Sequence, residues 1–536
     1  MNFFLALAYV LLWLAPVTGM LILARQIMQF VQLSSYQFGG FLRTVRRRAL
    51  HSFWPGAAFS LASIILLLIG LLIVQASPAL AFVLSLFVFI LLQFLAYLLS
   101  LVTYREKAVK VPLVMTARIK RLYVTLFLVG VALVCLLYCN RLSFVLSGFI
   151  PLLTPLWVLI AMLLVWPLEK GIQMLYRLDA RRVLSVYRKS GLEVIGITGS
   201  YGKTTVKNLL YAMLSQSQPT LASPASVNTP MGLSRCIREE LGPEHRFFIA
   251  EMGARHPQDI RVLCRFVRPK YGILTSIGPQ HLETMKSIER IASTKTDLIR
   301  ALPGDGFAVF HNDGKRVSEA WGKAEIGKAI VGNPGDDLWA EDVILTTKGA
   351  TFTICRNTSE RWPVTTRLSG EHNITNILLA AAMALHLGIS PDKIAQALTE
   401  VAPIASRLQT YIHQKGYTAI NNGFNSNPDS SKKALEVLAA HPGRLIVVTP
   451  GFIELGRHEA SANRRLGNDI AAVAQIAILI GEKHTRPIKE GLLESGMPED
   501  SIHVFPSLAL ANEYISETFG LGDVILYEND LPDHYA

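Results

Sequence analysis

Five apolar stretches in the first third of the chain constrain its fold more than any other feature. Each approaches the ~20 residues that an α-helix needs to cross a hydrocarbon core. The first stretch has neither a basic leader nor a small-residue cleavage site, so we expect it to be retained as a helix. The sequence therefore predicts a helical membrane region over residues 1–190, with about five spans at residues 3–24, 57–74, 80–101, 122–139 and 144–166.

The basic residues of this region predict its orientation. Residues 1–190 contain 18 Lys and Arg residues but only three acidic residues, Glu106, Glu169 and Asp179. The basic residues follow spans one, three and five, whereas the opposite loops contain only Arg141. Because cytoplasmic loops retain Lys and Arg, we expect an external N-terminus and a multi-pass inner-membrane protein whose remaining residues are cytoplasmic. Residues 26–51 are either a helix lying in the inner interface or a plain connecting loop.

This distribution of charge also argues against nucleic-acid binding. The whole chain has a net charge of +12. The excess flanks the apolar spans and does not form a basic face on a soluble domain. We therefore expect a lipid bilayer as a partner, and no nucleic acid.

Beyond residue 190 the pattern changes to strand, glycine turn and helix. Residues 192–198 form a β-branched apolar run, and residues 204–214 have helical character. A turn of this kind directs backbone N–H groups at phosphate oxygens, and a lysine can reach the β- and γ-phosphates. A strict P-loop has a further glycine where this chain has Ile197. The predicted ATP-binding turn comprises Gly199, Ser200, Tyr201, Gly202, Lys203, Thr204 and Thr205.

Polar residues follow the next two predicted strands. Glu251 ends the apolar run 247–250, and His281 follows the run 271–277. A carboxylate at the carboxyl edge of a parallel sheet, beside a phosphate turn, is well placed to bind Mg²⁺. Lys295 lies fourteen residues after His281. His281 or Lys295 alone would more often be an ordinary surface or core residue. Together with Glu251, in this order along the chain, they favour a metal site.

This combination resembles the Mur ligase superfamily, and within it the type that adds D-alanyl-D-alanine. The matching motifs are Gly-x-x-Gly-Lys-Thr-Thr, Glu-Met-Gly-Ala and Gly-x-x-His-Leu-Glu, followed by a lysine. The resemblance implies ATP and Mg²⁺ as cofactors, and carbon dioxide bound as a carbamate on Lys295. It also implies that Lys203, Glu251, His281 and Lys295 are catalytic, and that the metal ligands are Thr204, Glu251, His281 and Lys295.

The resemblance continues toward the C-terminus, with two departures. The string Gly-x-His-Asn-x-x-Asn implies nucleotide contacts by His372, Asn373 and Asn376, and Arg407 takes the position of an arginine that reaches ATP. Asn422 stands where the pattern has Asp, and Glu528-Asn529-Asp530 stands where dipeptide-adding enzymes have Lys-Gly-Ser. Both departures concern the amine substrate. The substrate-side residues implied are Asn228, Asn422, Asn425, Asn427 and Glu454, although Asn228 is equally well explained as a turn residue.

The predicted fold is α/β. A helical membrane region (1–190) precedes a P-loop-type central ATP-binding domain (191–402) and a Rossmann-like C-terminal domain (403–536). The resemblance implies an ATP-dependent carboxylate-amine ligase that forms an acyl phosphate. Its substrates would be a cell-envelope precursor, presented at the membrane, and an amino acid or dipeptide. The alternatives are a polyglutamate-type ligase for capsule or cofactor, and a non-catalytic nucleotide-binding membrane scaffold.

Overall fold

The computed structural model divides the chain into two compact units, Met1–Gln173 and Met174–Leu531. The residues that it describes are 3–34, 36–47, 49–74, 78–103, 112–137, 146–313, 316–322, 324–346, 349–357, 359–402, 408–423, 427–453 and 455–529.

The first unit is helical. Helix α1 packs against α3, α4 and α5. A side chain on Gly19 of α1 would collide with the ring of Phe59 on α3, so this glycine allows the two helices to approach closely. The elements are α1 (Phe3–Leu33), α2 (Phe38–Arg47), α3 (Ala49–Val74), α4 (Pro78–Thr103), α5 (Ala117–Leu136), a 3-10 helix (Ser147–Leu153) and the start of α6 (Thr154–Lys189).

Several of these helices have the length and apolar composition of membrane spans. Among the described residues there are four such candidates, Ala6–Leu33, Phe82–Val102, Ala117–Leu136 and Ser147–Lys189. A shorter apolar helix, Ser52–Leu66, lies within α3. The four candidates overlap four of the five predicted apolar stretches, and the fifth stretch, residues 57–74, overlaps only the shorter apolar helix.

A polar cluster surrounds the start of α5. Glu169 of α6 is buried, and its carboxylate lies 2.6 Å from a guanidinium nitrogen of Arg121 and 3.4 Å from Nε of Arg118. Arg118 also lies over the ring of Tyr36, 3.9 Å from its centroid. The Tyr36 hydroxyl is 3.2 Å from the hydroxyl of Thr116, which caps α5. Glu169 therefore holds two arginines near the N-terminus of α5.

The second unit contains a nine-stranded sheet in the order β2-β3-β1-β4-β5-β6-β7-β8-β9. Strands β1 to β7 pair in parallel, and β7, β8 and β9 form an antiparallel extension. The strands are β1 (Glu193–Thr198), β2 (Thr220–Ala222), β3 (Phe247–Glu251), β4 (Tyr271–Leu274), β5 (Phe307–His311), β6 (Gly327–Gly332), β7 (Leu338–Thr346), β8 (Gly349–Arg356) and β9 (Glu360–Thr366).

Helices cover this sheet because its central strands are apolar on both faces. The all-buried pattern of β3 and β4 shows this directly. The helices are α7 (Lys203–Ser215), α8 (Pro230–Glu239), α9 (Asp259–Val267), α10 (Leu282–Met285), α11 (Ile288–Arg300), α12 (Arg316–Gly322), α13 (Glu371–His386) and α14 (Pro391–Glu400).

A six-stranded sheet follows, in the order β10-β11-β15-β12-β13-β14. Only β10 pairs antiparallel; the other five strands are parallel. Its elements are β10 (Gln409–Ile412), β11 (Thr418–Asn422), α15 (Pro428–Ala439), β12 (Arg444–Thr449), α16 (Glu459–Ala471), β13 (Ile476–Ile480), α17 (Glu482–Glu494), β14 (Ile502–Phe505), α18 (Leu508–Thr518) and β15 (Asp523–Glu528). The predicted α/β class, with an N-terminal helical region and two following α/β portions, is confirmed.

Candidate active site

The glycine turn joins the end of β1 to the start of α7. Gly202 has a φ of +80°, a conformation that residues with a side chain rarely adopt. A Cβ atom on Gly199 would collide with the Thr275 hydroxyl, and one on Gly202 would collide with the Asn376 side chain. Both glycines are therefore required by close packing around the turn.

Two lysines share a carbonyl of this turn. Lys203 Nζ donates to Gly199 O at 2.7 Å and to Ser200 O at 3.2 Å. Lys295 Nζ, which is buried, donates to the same Gly199 carbonyl at 2.8 Å. Burial, reinforced by the charge of Lys203, holds the pKa of Lys295 well below its usual value. The structure thus brings two of the predicted catalytic residues together.

Glu251, at the end of β3, is the anionic centre of the site. Its carboxylate accepts hydrogen bonds from Thr204 Oγ1 at 2.9 Å and Asn228 Nδ2 at 3.2 Å. Lys207 Nζ lies 3.3 Å from Glu251 Oε2. Burial acts to raise the pKa of Glu251, but Lys207, Lys203 and the two hydrogen bonds outweigh it and lower the pKa. Glu251 is therefore a buried carboxylate that keeps its charge.

Lys207 is the residue that the sequence analysis missed. Its side chain is buried, and it also donates to Pro224 O at 3.3 Å. Lys203 and Lys207 are four residues apart on α7, so they lie on one face of the helix. The spacing of four residues could have predicted this position, because a helix face that presents Lys203 to the turn also presents Lys207 to the sheet.

The loop after β4 is tied to the glycine turn. Ser200 Oγ donates to Gly278 O at 3.0 Å and accepts from Gly278 N at 2.9 Å. His281 lies on this loop and precedes α10 with a φ of +54°. Among the described residues, no group of three or more His, Cys, Asp and Glu side chains could hold a metal ion. Of the four predicted metal ligands, Glu251 and His281 are the two that belong to these residue types. Thr204 and Glu251 are joined by a hydrogen bond.

Two more residues of the turn contact other parts of the site. The Tyr201 backbone N–H donates to Ser276 Oγ at 2.8 Å. The Tyr201 hydroxyl donates to Pro279 O at 3.4 Å, and burial, followed by the charge of Asp429, raises the pKa of Tyr201 well above its usual value. Thr205 is buried in the first turn of α7. Tyr201 thereby links the glycine turn to the loop after β4.

The start of α13 lies beside the turn. Asn376 approaches Gly202, and its Nδ2 donates to Asn373 Oδ1 at 3.4 Å. Asn373 in turn donates to Ser369 O at 2.7 Å. His372 is half-buried, and burial, followed by the charge of Lys433, lowers its pKa to about 4.

A cavity of about 570 Å³ opens next to these residues. It lies between the loop that starts α13 and one face of α15. Its lining residues are His311, Leu345, Thr346, Ser369, Gly370, Glu371, His372, Thr375, Lys433, Glu436, Val437, Ala440 and His441.

The predicted substrate-side residues fall into three groups. Asn228 binds Glu251, as described above. Asn422 Nδ2 donates to Glu528 Oε2 at 2.8 Å, and Asn427 caps α15 by accepting from the backbone N–H of Asp429 at 3.1 Å. Asn425 and Glu454 lie outside the described residues, as does Arg407, the predicted nucleotide contact.

Two family profiles match this part of the chain. The profile of the Mur ligase middle domain matches residues 197–384, and that of the Mur ligase glutamate ligase domain matches residues 406–527. The chain belongs to the Mur ligase family. The two profiles together cover more than half of its length, including the glycine turn, Glu251, Lys295 and the six-stranded sheet.

Curated Mur ligases with similar sequences are described as UDP-N-acetylmuramoyl-tripeptide--D-alanyl-D-alanine ligases. That of Mycobacterium tuberculosis (strain ATCC 25618 / H37Rv) is 33% identical over 328 residues, which are 57% of this chain and 63% of that protein. That of Escherichia coli (strain K12) is 28% identical over 298 residues, which are 55% of this chain and 66% of that protein. This chain thus spans less than two thirds of the length of either relative.

Solved Mur ligase structures share the fold. MurF from Acinetobacter baumannii has a TM-score of 0.59 at 25% identity, covering 66% of this chain and 77% of that one. The MurF ligase from Thermotoga maritima in complex with ADP has a TM-score of 0.59 at 22% identity, covering 67% of this chain and 80% of that one.

Proposed function

We propose that this protein is an ATP-dependent carboxylate-amine ligase. The observation that carries the proposal is the arrangement of Lys203, Lys295 and the Thr204–Glu251 pair around one glycine turn at the carboxyl edge of a parallel sheet. Open parallel sheets bind ligands at this edge, and a glycine turn that opens a helix binds phosphate. The names of the similar Mur ligases support amide formation as the reaction.

The nucleotide would extend from the turn along the start of α13. The triphosphate would lie on Gly199–Gly202, and Asn373, Asn376 and Arg407 would contact the nucleotide. The cavity beside His372 has a volume of about 570 Å³ and fits a nucleoside in size. Its mixed lining, with apolar side chains and a few polar groups, also suits a base and a ribose.

Thr204 and Glu251 fit a magnesium ion. A hydroxyl and a charged carboxylate supply the oxygen ligands that Mg²⁺ prefers, and the two are already joined at 2.9 Å. We expect His281 and the carbamate of Lys295 to complete this set. Bound Mg²⁺ would neutralise charge on the transferring phosphoryl group.

The state of Lys295 suits carbamate formation. Burial and the charge of Lys203 lower the pKa of Lys295 and so favour its neutral amine, which is the form that can attack carbon dioxide. The N–C bond forms, one proton is released, and the lysine becomes an anion. This change converts a buried amine beside Lys203 into an anionic oxygen ligand.

The proposed reaction has two steps. An oxygen of the substrate carboxylate attacks the γ-phosphorus of ATP, and ADP leaves. The amine substrate then attacks the carbonyl carbon of the acyl phosphate, inorganic phosphate leaves, and the amine loses a proton. Lys203 would leave the carbonyls of the turn to stabilise charge on the phosphoryl group, while the surrounding residues orient the reactants.

We also propose that the protein is anchored in the inner membrane with its catalytic half in the cytoplasm. The four apolar helices and their basic flanks support this location. The acyl substrate would be a peptidoglycan or related cell-envelope precursor, lipid-linked or otherwise presented at the inner leaflet. Full activity of a soluble fragment on a UDP-linked precursor would argue against presentation by the membrane.

Two substitutions test the ligase. Lys203→Ala should lower ADP formation about 100-fold or more, because it removes the charge nearest the transferring group. Lys295→Ala should also cripple turnover, but short carboxylic acids added to the assay should restore part of it. Lys415→Ala, at an exposed lysine, is the matched control and should keep the wild-type rate. Full turnover by Lys295→Ala without added carboxylate would refute the carbamate.

A further inference from the structure

Lys433 brings a positive charge to the cavity beside the glycine turn. It lies on α15, on the same helix face as Glu436, Val437 and Ala440, which also line the cavity. Lys433 is exposed, and it makes no hydrogen bond or ion pair with any residue that the structure describes. Among the described residues that line the cavity, it is the only Lys or Arg. Lys433 is therefore a solvated cation that is open to a ligand.

Two histidines show where this ammonium lies. Burial, followed by the charge of Lys433, lowers the pKa of His372 to about 4. Burial is also the main cause that lowers the pKa of His311, and the charge of Lys433 adds to it. His311 ends β5, His372 lies in the first turn of α13, and both line the cavity. An ammonium that acts on both imidazoles faces the cavity and not the solvent on the far side of α15.

The cavity face of α15 leads away from the glycine turn. Burial, followed by the charge of Asp429 in the first turn of α15, raises the pKa of Tyr201 in the glycine turn, so the start of α15 is near this turn. With a rise of about 1.5 Å per residue, Lys433 lies about 6 Å beyond Asp429 along the helix, and Ala440 about 16 Å beyond it. Of the residues of α15 that line the cavity, Lys433 is thus the nearest to the turn along the helix.

The order of groups in a nucleotide matches this arrangement. The α-phosphate joins the ribose to the β- and γ-phosphates. With these two phosphates on the glycine turn and the nucleoside in the cavity, the α-phosphate lies at the side of the cavity that is nearest the turn. The exposed carboxylates of Glu371 and Glu436 also line the cavity. They can accept hydrogen bonds from ribose hydroxyls but would repel a phosphate, so Lys433 is the side chain whose charge suits it.

We propose that Lys433 binds the α-phosphate of ATP, so that α15 contributes a residue to the nucleotide site. The ammonium would donate to a phosphate oxygen, and such a charge-assisted bond is stronger than one between neutral groups. This inference rests on the proposed ligase function and adds a nucleotide contact to it.

The test compares ligands that differ by one phosphate. Adenosine, AMP and Mg·ADP would each compete with a fluorescent ADP analogue for the full chain in lipid nanodiscs, and the dissociation constant of each would be measured. Lys433→Met removes the ammonium and keeps an unbranched side chain. We expect it to weaken the binding of AMP and ADP by about tenfold, because both contain the α-phosphate. The affinity for adenosine should change by less than about twofold, because adenosine has no phosphate.

Two further variants separate phosphate binding from a general effect of charge on α15. Lys432→Met is the matched control, because Lys432 is the exposed neighbour of Lys433, does not line the cavity, and acts on Asp469 of α16. It should leave all three affinities at the wild-type values. Lys433→Arg keeps a cation at the position and should recover most of the affinity for AMP and ADP.

The outcomes distinguish this inference from the function on which it rests. Unchanged binding of AMP and ADP by Lys433→Met would overturn the α-phosphate contact. Equal weakening of adenosine, AMP and ADP would also overturn it, because the substitution would then have altered the cavity as a whole. Both results leave the ligase in place. If the wild-type chain binds no Mg·ADP, the nucleotide site itself is refuted, and the contact with it.

Discussion

At the scale of single residues, the site depends on a buried charge that is compensated from several sides. Glu251 is paired with Lys207 and hydrogen-bonded by Thr204 and Asn228. Removing one partner of a buried ion pair usually costs about 3–5 kcal/mol, because the other charge remains desolvated. Lys207 therefore holds Glu251 in its charged form, ready to bind a cation beside the glycine turn.

His372 makes the stability of the folded chain depend on pH. Its folded-state pKa is about 4, against an ordinary value of 6.5, because it is half-buried and near Lys433. As pH falls below 6.5, the unfolded chain binds a proton before the folded chain does. The stability present above pH 6.5 should thus decline by about 1.4 kcal/mol per pH unit until pH 4, for a total of about 3 kcal/mol. His372→Gln should remove this part of the decline.

The measurement is the thermal unfolding midpoint of the detergent-solubilised chain, without nucleotide, at several pH values from 7 to 4. The quantity to compare is the slope of this midpoint against pH, because a loss of stability that is the same at every pH does not change the slope. His256→Gln, at an exposed histidine, is the matched control. Equal slopes for the wild type and His372→Gln would contradict the assignment.

The residues of the glycine turn could be predicted from sequence, and their partners could be predicted only in part. The turn has a local sequence signature. Its backbone geometry requires the glycines, and phosphate binding requires the Lys and Thr that follow them. The Lys207–Glu251 pair has no such signature, since a lysine on a helix is usually solvated. Asn422 and Glu528 were both recognised as departures, but their contact depends on the pairing of β11 with β15, across more than a hundred residues.

At the scale of elements, the polar cluster at the start of α5 should stabilise the helical unit. Glu169→Ala would leave Arg118 and Arg121 close together without a counter-charge. Their side chains are 28% and 33% exposed, so solvent screens part of the effect. We expect a loss of about 1–3 kcal/mol.

Thermal unfolding of the chain in nanodiscs, followed by tryptophan fluorescence, would measure this loss. Lys170→Ala alters the exposed neighbour of Glu169 on the same helix. It should leave the free energy of unfolding within about 0.5 kcal/mol of the wild-type value. A Glu169→Ala midpoint equal to that of Lys170→Ala would show that the carboxylate contributes nothing.

Element positions were predictable wherever the pattern was strong. The apolar runs 192–198, 247–250 and 271–277 became β1, β3 and β4, with ends shifted by up to three residues. Strands β7 to β9 were not predicted. They form the antiparallel extension of the sheet, and the exposed second half of β7 has neither the apolar run of a buried strand nor a regular alternation.

At the scale of the whole molecule, the number of membrane crossings decides which side the N-terminus occupies. The proposed function requires the catalytic half in the cytoplasm, where ATP is available. Five crossings then place the N-terminus outside, and four place it inside. The element that decides the number is α3, of which Ser52–Leu66 is apolar but shorter than a full span among the described residues.

The basic residues favour five crossings. Arg43 and Arg46 lie between the candidate span of α1, Ala6–Leu33, and the apolar part of α3, and with five crossings this segment is cytoplasmic. With four crossings and α3 on the surface, the same segment would be external. An N-terminal epitope tag should therefore be cleaved by protease in intact spheroplasts, while a C-terminal tag on the same chain stays protected until lysis. Protection of both tags would establish an even number of crossings, and α3 would then be an interfacial helix and not a span.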